Sequence, residues 1–290
     1  VLHRLNNNEN PLGPPPAAAR VIAEFPPERA AIYPSGDSFD LRAALGERFG
    51  IDPDRFLVGN GSCEVIASVI KAFCQPGDNI VTGQYGFLAY RISAKACGAE
   101  VKLAAEPNMK AEVEAILEQV DERTKIVYVS NPSNPTGSWN SGEEIRRLHA
   151  ALPAHIILVV DEAYAEFVVE PEWETSFGLA REASNVVVTR TFSKIHGLGG
   201  LRIGFGYAPV AVAEAVDRIR LPFNVSVPGL DAATAALADE AHQKASRDLV
   251  LDWRPRLTQA IRGFGFEVFP SAGNFVLIRF ADEKRNAAAA

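Results

Sequence analysis

Lys194 has the most chemistry to offer in this chain. It closes the run NVVVTRTFSK and leads into Gly197, Gly199, Gly200 and Arg202. A lysine amine condenses with carbonyls when its surroundings favour the neutral form. Thr191, Ser193 and Arg202 can add hydroxyls and a guanidinium to an anion site beside it. The plain alternative is a solvated charge, the usual state of a lysine. Asp161 ends the apolar run IILVVD, with Tyr164 just beyond. A carboxylate there is costly to bury unless it is paired. Its alternative is a helix N-cap.

Two further groups fall between strand and helix patterns. Gly59-Asn60-Gly61-Ser62-Cys63-Glu64 offers a tight glycine turn and then free N–H groups at Ser62 and Cys63. A helix N-terminus of this kind seats phosphate, although the same text also suits an ordinary strand-to-helix turn. It lacks the Lys-Ser/Thr ending of a Walker loop. The second group, Ser130-Asn131-Pro132-Ser133-Asn134-Pro135-Thr136-Gly137, is a rigid loop that can aim an Asn amide at a ligand, or simply turn the chain.

The elements that must position these groups are legible as well. FLVGN, NIVTG, KIVYVSN, IILVVD and NVVVTRT are short, continuous apolar runs. Such runs suit strands buried on both faces. Helical spacing separates them, as in Val65, Ile66, Val69, Ile70 and Phe73. The expectation is an α/β fold: a three-layer αβα large domain with a mostly parallel central sheet, and a smaller, incomplete α+β domain. The expected divisions are an N-terminal arm at 1–27, the large domain at 28–225 and the small domain at 226–290, opening on one long helical stretch at 231–263. An open sheet of this class holds ligands beyond the carboxyl ends of its strands, where all four groups fall.

Taken together, the motifs LNNNENPLGP, YPSG, VGNGSCE, SNPSNPTG, VVDEAYAEF, RTFSKIHGLGGLRIGF and GNFVLIRF resemble the fold-type-I pyridoxal-phosphate aminotransferases. Within the aspartate-aminotransferase superfamily, the chain is similar to the histidinol-phosphate aminotransferases. The resemblance covers almost the whole chain and implies the following roles. Lys194 would bind the aldehyde of pyridoxal 5'-phosphate and shuttle the substrate proton. Asp161 would pair with the pyridinium nitrogen and make the ring an electron sink. Asn134 and Tyr164 would bond the phenolic oxygen, and Tyr85 would stack on the ring. The Ser62 and Cys63 amides, Thr191, Ser193 and Arg202 would hold the phosphate. Tyr33 would reach the phosphate of the partner subunit, which implies a homodimer. The implied reaction takes an amino group from an amino acid or histidinol phosphate and gives it to a 2-oxo acid such as 2-oxoglutarate. An aromatic amino acid donor, a decarboxylase of the threonine-phosphate kind and a non-catalytic cofactor-binding protein are the alternatives. The family's substrate-carboxylate Arg has no counterpart after Phe280, and Arg279 belongs to the preceding strand. Residues are therefore expected beyond Ala290 and, since the chain does not open on Met, before Val1.

Bulk composition agrees. The 290 residues are 47% hydrophobic and 22% charged, with 29 basic against 36 acidic side chains and a net charge of −7. An acidic balance without basic runs argues against nucleic acid. Three cysteines without ligand spacing suit a reducing compartment and no metal. No apolar stretch is long enough for a membrane span, and the cytoplasm is the expected address. Arg202 stands where a dinucleotide fingerprint would need its third glycine.

Overall fold

The computed structural model describes residues 5–280. Seven strands form one sheet: β1 (Phe56–Asn60), β2 (Asn79–Gly83), β3 (Glu100–Ala104), β4 (Thr124–Ser130), β5 (Ile157–Asp161), β6 (Val186–Thr191) and β7 (Ile203–Tyr207). Their order is β1-β7-β6-β5-β4-β2-β3. Only β7 runs antiparallel to its neighbours; the remaining pairs are parallel. The chain steps outward from β2 to the edge at β3, then returns to the other side of β2 with β4. Such a reversal opens a crevice at the strands' carboxyl ends. Edge strand β3 carries Glu100 and Lys102, charges that discourage edge-to-edge pairing.

Among the described residues, nine helices pack on this sheet: α1 (Pro16–Ala23), α2 (Phe39–Phe49), α3 (Ser62–Phe73), α4 (Leu88–Ala96), α5 (Val113–Leu117), α6 (Gly142–Ala151), α7 (Phe177–Glu182), α8 (Val210–Asp217) and α9 (Val227–Leu237). Alternate strand residues enter opposite layers. Leu158 and Val160 join Leu41, Leu148, Phe177 and Ala232 on one face. Ile157 and Val159 join Ile66, Tyr90 and Val212 on the other. Helices α3, α4 and α8 thus cover one side, and the other six cover the opposite side. That is the expected three-layer arrangement. α6 shows how locally its start is written: Ser141 and Glu144 close a capping box.

Beyond α9 lie α10 (Glu240–Gly263) and a short antiparallel pair, β8 (Glu267–Val268) with β9 (Ile278–Arg279). The expected single helix at 231–263 is two. The first ends at Leu237, and the second begins where the Asp239 carboxylate accepts the His242 N–H. α9, inside the stretch expected as the small domain at 226–290, buries Ala232, Ala233, Ala236 and Leu237 in the main core. Likewise, the stretch expected as an arm contains α1, whose Ala18 is in the same core. Among the described residues of that stretch, 5–15 and 24–26 lie outside helix and strand. The expected small-domain residues 281–290 lie outside the described residues. Among the described residues, no helix is long and apolar enough to cross a membrane.

Candidate active site

Five chain segments meet at the carboxyl ends of the strands and enclose a cavity of about 420 Å³. The first is the start of α3. Gly61 caps it at φ +75°, where glycine is at ease. A Cβ at Gly61 would meet the Arg202 guanidinium at 2.5 Å, and one at Gly204 of β7 would meet the Ser62 nitrogen at 2.1 Å. β7 therefore passes under the helix start with no side chain between. Ser62 and Cys63 line the cavity, with first-turn N–H groups that have no helical acceptor. Thr191, Ser193 and Arg202 line the same end. Thr191 Oγ1 and Ser193 Oγ are 3.0 Å apart, and Arg202 Nη1 is anchored on the Gly199 carbonyl at 2.9 Å. Helix dipole, hydroxyls and guanidinium make this end an anion seat.

The second segment is the end of β5. Asp161 is 3% exposed. Its carboxylate accepts from the Tyr90 hydroxyl at 2.8 Å and from Thr189 Oγ1 at 3.1 Å. Burial pushes its pKa up, and the two hydroxyls oppose that rise. Both donors are neutral, so the site suits a further, cationic donor. No helix cap is involved.

The loop after β4 supplies Asn134, whose Nδ2 donates to the Tyr164 hydroxyl at 3.2 Å. Asn131 braces this loop through two bonds with the Asn140 backbone. The Tyr164 oxygen also accepts from Asn8 Nδ2 at 3.1 Å. Burial pushes the Tyr164 pKa up to about 12, against the Asn8 bond. The phenol stays protonated, with its hydrogen available to a ligand.

Lys194 follows β6. Its Nζ donates to the carbonyls of Asn7 (2.7 Å) and Asn8 (3.2 Å) and lies 5.5 Å from the Tyr164 ring centre. Burial lowers its pKa, with Glu9 opposing and Arg202 reinforcing the shift. The direction favours the nucleophilic amine.

The fifth segment is the chain at 6–9, within the stretch expected as an N-terminal arm. It lies across the cavity and is pinned just beyond, where Asn10 Nδ2 donates to the Ile195 carbonyl and to Ser246 Oγ, both at 2.9 Å. Asn274 Nδ2 holds the Asn8 carbonyl at 3.0 Å. α10 thereby joins the site, and Val250 packs with Tyr164, Phe167 and Ile195.

With that geometry in place, similarity to known proteins decides the family. The family model "Aminotransferase class I and II" matches residues 2–290. The chain belongs to this aminotransferase family. It is 50% identical over 277 residues to histidinol-phosphate aminotransferase 1 of Caulobacter vibrioides, covering 96% of this chain and 77% of that protein. To the histidinol-phosphate aminotransferase of Rhodospirillum centenum it is 47% identical, covering 99% of this chain and 79% of the other. Among solved structures it resembles the histidinol-phosphate aminotransferase of Sinorhizobium meliloti in complex with pyridoxal-5'-phosphate. There the TM-score is 0.90 at 29% identity, over 96% of this chain and 75% of that one. The fold alone is also that of Thermus thermophilus aspartate aminotransferase with maleate, with a TM-score of 0.83 at 21% identity, over 93% and 75% of the two chains.

Not every residue expected from sequence joins the aminotransferase cavity. Tyr85 does not. Its N–H donates to Glu106 at 2.6 Å, and the residue lines a separate depression with Phe269 and Arg279. Phe87, two residues on, lines the cavity instead. The reason is the turn at 83–86, which Glu106, just past the neighbouring strand β3, organises. Tyr33 is also outside it, 78% exposed and stacked on Phe223 at 4.8 Å. Arg279 pairs with Glu267 at 2.9 Å on the β8–β9 ribbon, away from the cavity. Sequence reasoning missed Tyr90 and Thr189, the two partners of Asp161. The one local signal was a tyrosine on the buried face of α4.

Proposed function

We propose that this chain is a pyridoxal-phosphate-dependent aminotransferase that moves the amino group of histidinol phosphate to 2-oxoglutarate. The donor is taken from the names of the relatives. The observation that carries the reading is the convergence of Lys194, Asp161 and the α3 N-terminus on one cavity. A phosphorylated pyridine aldehyde matches that donor set: an anion seat at one end, a buried acid without a charged partner, and an amine shifted toward its neutral form. When bound, the cofactor supplies an electron sink for the carbanion at the substrate α-carbon.

The residues divide the work. The Ser62 and Cys63 N–H groups, Thr191, Ser193 and Arg202 hold the phosphate. Asp161 holds a proton at the ring nitrogen, and its own charge is stabilised by the pairing. Asn134 and Tyr164 donate to the phenolic oxygen. Phe87 takes the ring-facing place expected for Tyr85. Lys194 would hold the aldehyde, and its amine is the base that would carry the proton from the substrate α-carbon. The exposed Tyr33 reaches the phosphate of the partner subunit in a homodimer. Cys63, Cys74 and Cys97 are free thiols, in keeping with a reducing cytoplasm.

The test is a donor panel with pyridoxal phosphate and 2-oxoglutarate present. Glutamate should form fastest with histidinol phosphate. Faster turnover of phenylalanine would replace the substrate, and no protein-bound visible absorbance after unbound pyridoxal phosphate is removed would refute the reading altogether.

A further inference from the structure

β5 leads into two successive acids, and successive residues of an extended chain point to opposite faces. Asp161 faces the cavity side. Glu162 faces the other layer and is fully buried. β6 answers both. Thr189 lies in register with Asp161 and bonds it. The next residue, Arg190, reaches Glu162 Oε2 with Nε at 3.1 Å and Nη2 at 2.7 Å. Thr175 Oγ1 at 2.8 Å and the Ser176 N–H complete the Glu162 carboxylate.

Arg190 has a further nitrogen to give. Its Nη1 donates to Glu166 Oε1 at 2.7 Å, while the guanidinium lies 5.0 Å from the Phe177 ring centre. Glu162 and Glu166 flank Tyr164 in the chain. The Ala165 N–H returns to the Glu162 carbonyl, and the Phe167 N–H to the Tyr164 carbonyl. One guanidinium therefore grips both ends of the turn that presents Tyr164. Neither Arg190 nor either glutamate lines the cavity. Buried ion pairs add little net stability over apolar packing, so fold stability alone is a weak reason for this cluster.

We propose that Arg190 is a positioning residue: by holding Glu162 and Glu166 it sets the direction in which Asp161 and Tyr164 meet the bound pyridine ring. The inference rests on the reading that the cavity takes pyridoxal phosphate.

Three variants of the full chain test it: Glu166→Gln, Arg190→Lys and Arg190→Met. Pyridoxal phosphate binding by equilibrium dialysis and visible circular dichroism of the loaded protein are the readouts, beside thermal unfolding of the apoprotein. Glu166→Gln should weaken cofactor binding roughly 3–10-fold and lower the visible dichroism per bound cofactor. Its apoprotein should melt within about 3 °C of wild type. Arg190→Lys keeps the charge but loses the fork and should show the same losses, larger. Arg190→Met leaves two buried carboxylates unpaired; if it does not fold, Glu166→Gln decides, because Glu166 is partly exposed. Wild-type binding and dichroism in Glu166→Gln and Arg190→Lys would overturn the proposal while leaving the cofactor reading intact. A wild-type protein that takes up no pyridoxal phosphate would overturn both.

Discussion

The cavity has two walls of different construction. One is made of strand ends and a helix start: Asp161 and Thr191 end strands whose register is set by their neighbours, and Ser62 and Lys194 follow a strand by two or three residues. The other is made of the chain at 6–9, held by Asn10, Asn274 and contacts with α10. The first rests on a continuous apolar core, the second on a handful of amide hydrogen bonds. Groups that must keep fixed geometry lie on the sheet wall. The wall that can shift faces the amine of Lys194, which must release one partner to take another.

That contrast can be broken or sharpened in five ways. Lys194→Ala should lower transamination by about 10⁴-fold or more with the fold intact, measured by single-turnover kinetics and far-UV dichroism. Asp161→Ala should cost about 10²–10³-fold in kcat and weaken cofactor retention. A rate near wild type would mean the sheet wall is not where the electronics are set.

The third concerns pH and His196, which is buried behind Lys194 against Phe192. Burial pushes its pKa down to about 4. The unfolded chain then binds the proton more readily, so stability is full above the ordinary histidine pKa and is lost as pH falls toward 4. The loss is on the order of 3 kcal/mol, about 10² in the folding constant. Denaturant titrations from pH 7 to 4 should show it, and His196→Leu should remove it.

On the softer wall, Asn10→Ala should cost about 1–2 kcal/mol and raise KM more than it lowers kcat. Equal changes in both would make the arm part of the chemistry rather than of substrate holding. Smallest of all, Tyr85→Ala should change kcat/KM by less than about 3-fold, as expected for a side chain off the cavity. A large loss would return the ring-stacking role to it.

Lys194, Asp161, Asn134 and the glycine turn before Ser62 were legible because each follows an apolar run directly, so strand and chemistry are written together. The parallel sheet was legible for the same reason. Tyr90 was not, because its bond to Asp161 joins residues 71 apart, and no local pattern marks that meeting. Tyr85 and Phe87 could not be told apart from sequence, since a turn stabilised by distant Glu106 chooses which one lines the cavity. The break between α9 and α10 was hidden by apolar spacing that runs on through it. Only the Asp239 cap marks the restart.

Asn10 also bears on how the protein is made. It leaves the ribosome well before its side-chain partners, which lie 185 and 236 positions later. Long-separation contacts of this sort form slowly. Synthesis must pass Ser246 before the arm can be latched, so a nascent chain halted short of that point holds most of the sheet but cannot close its own mouth.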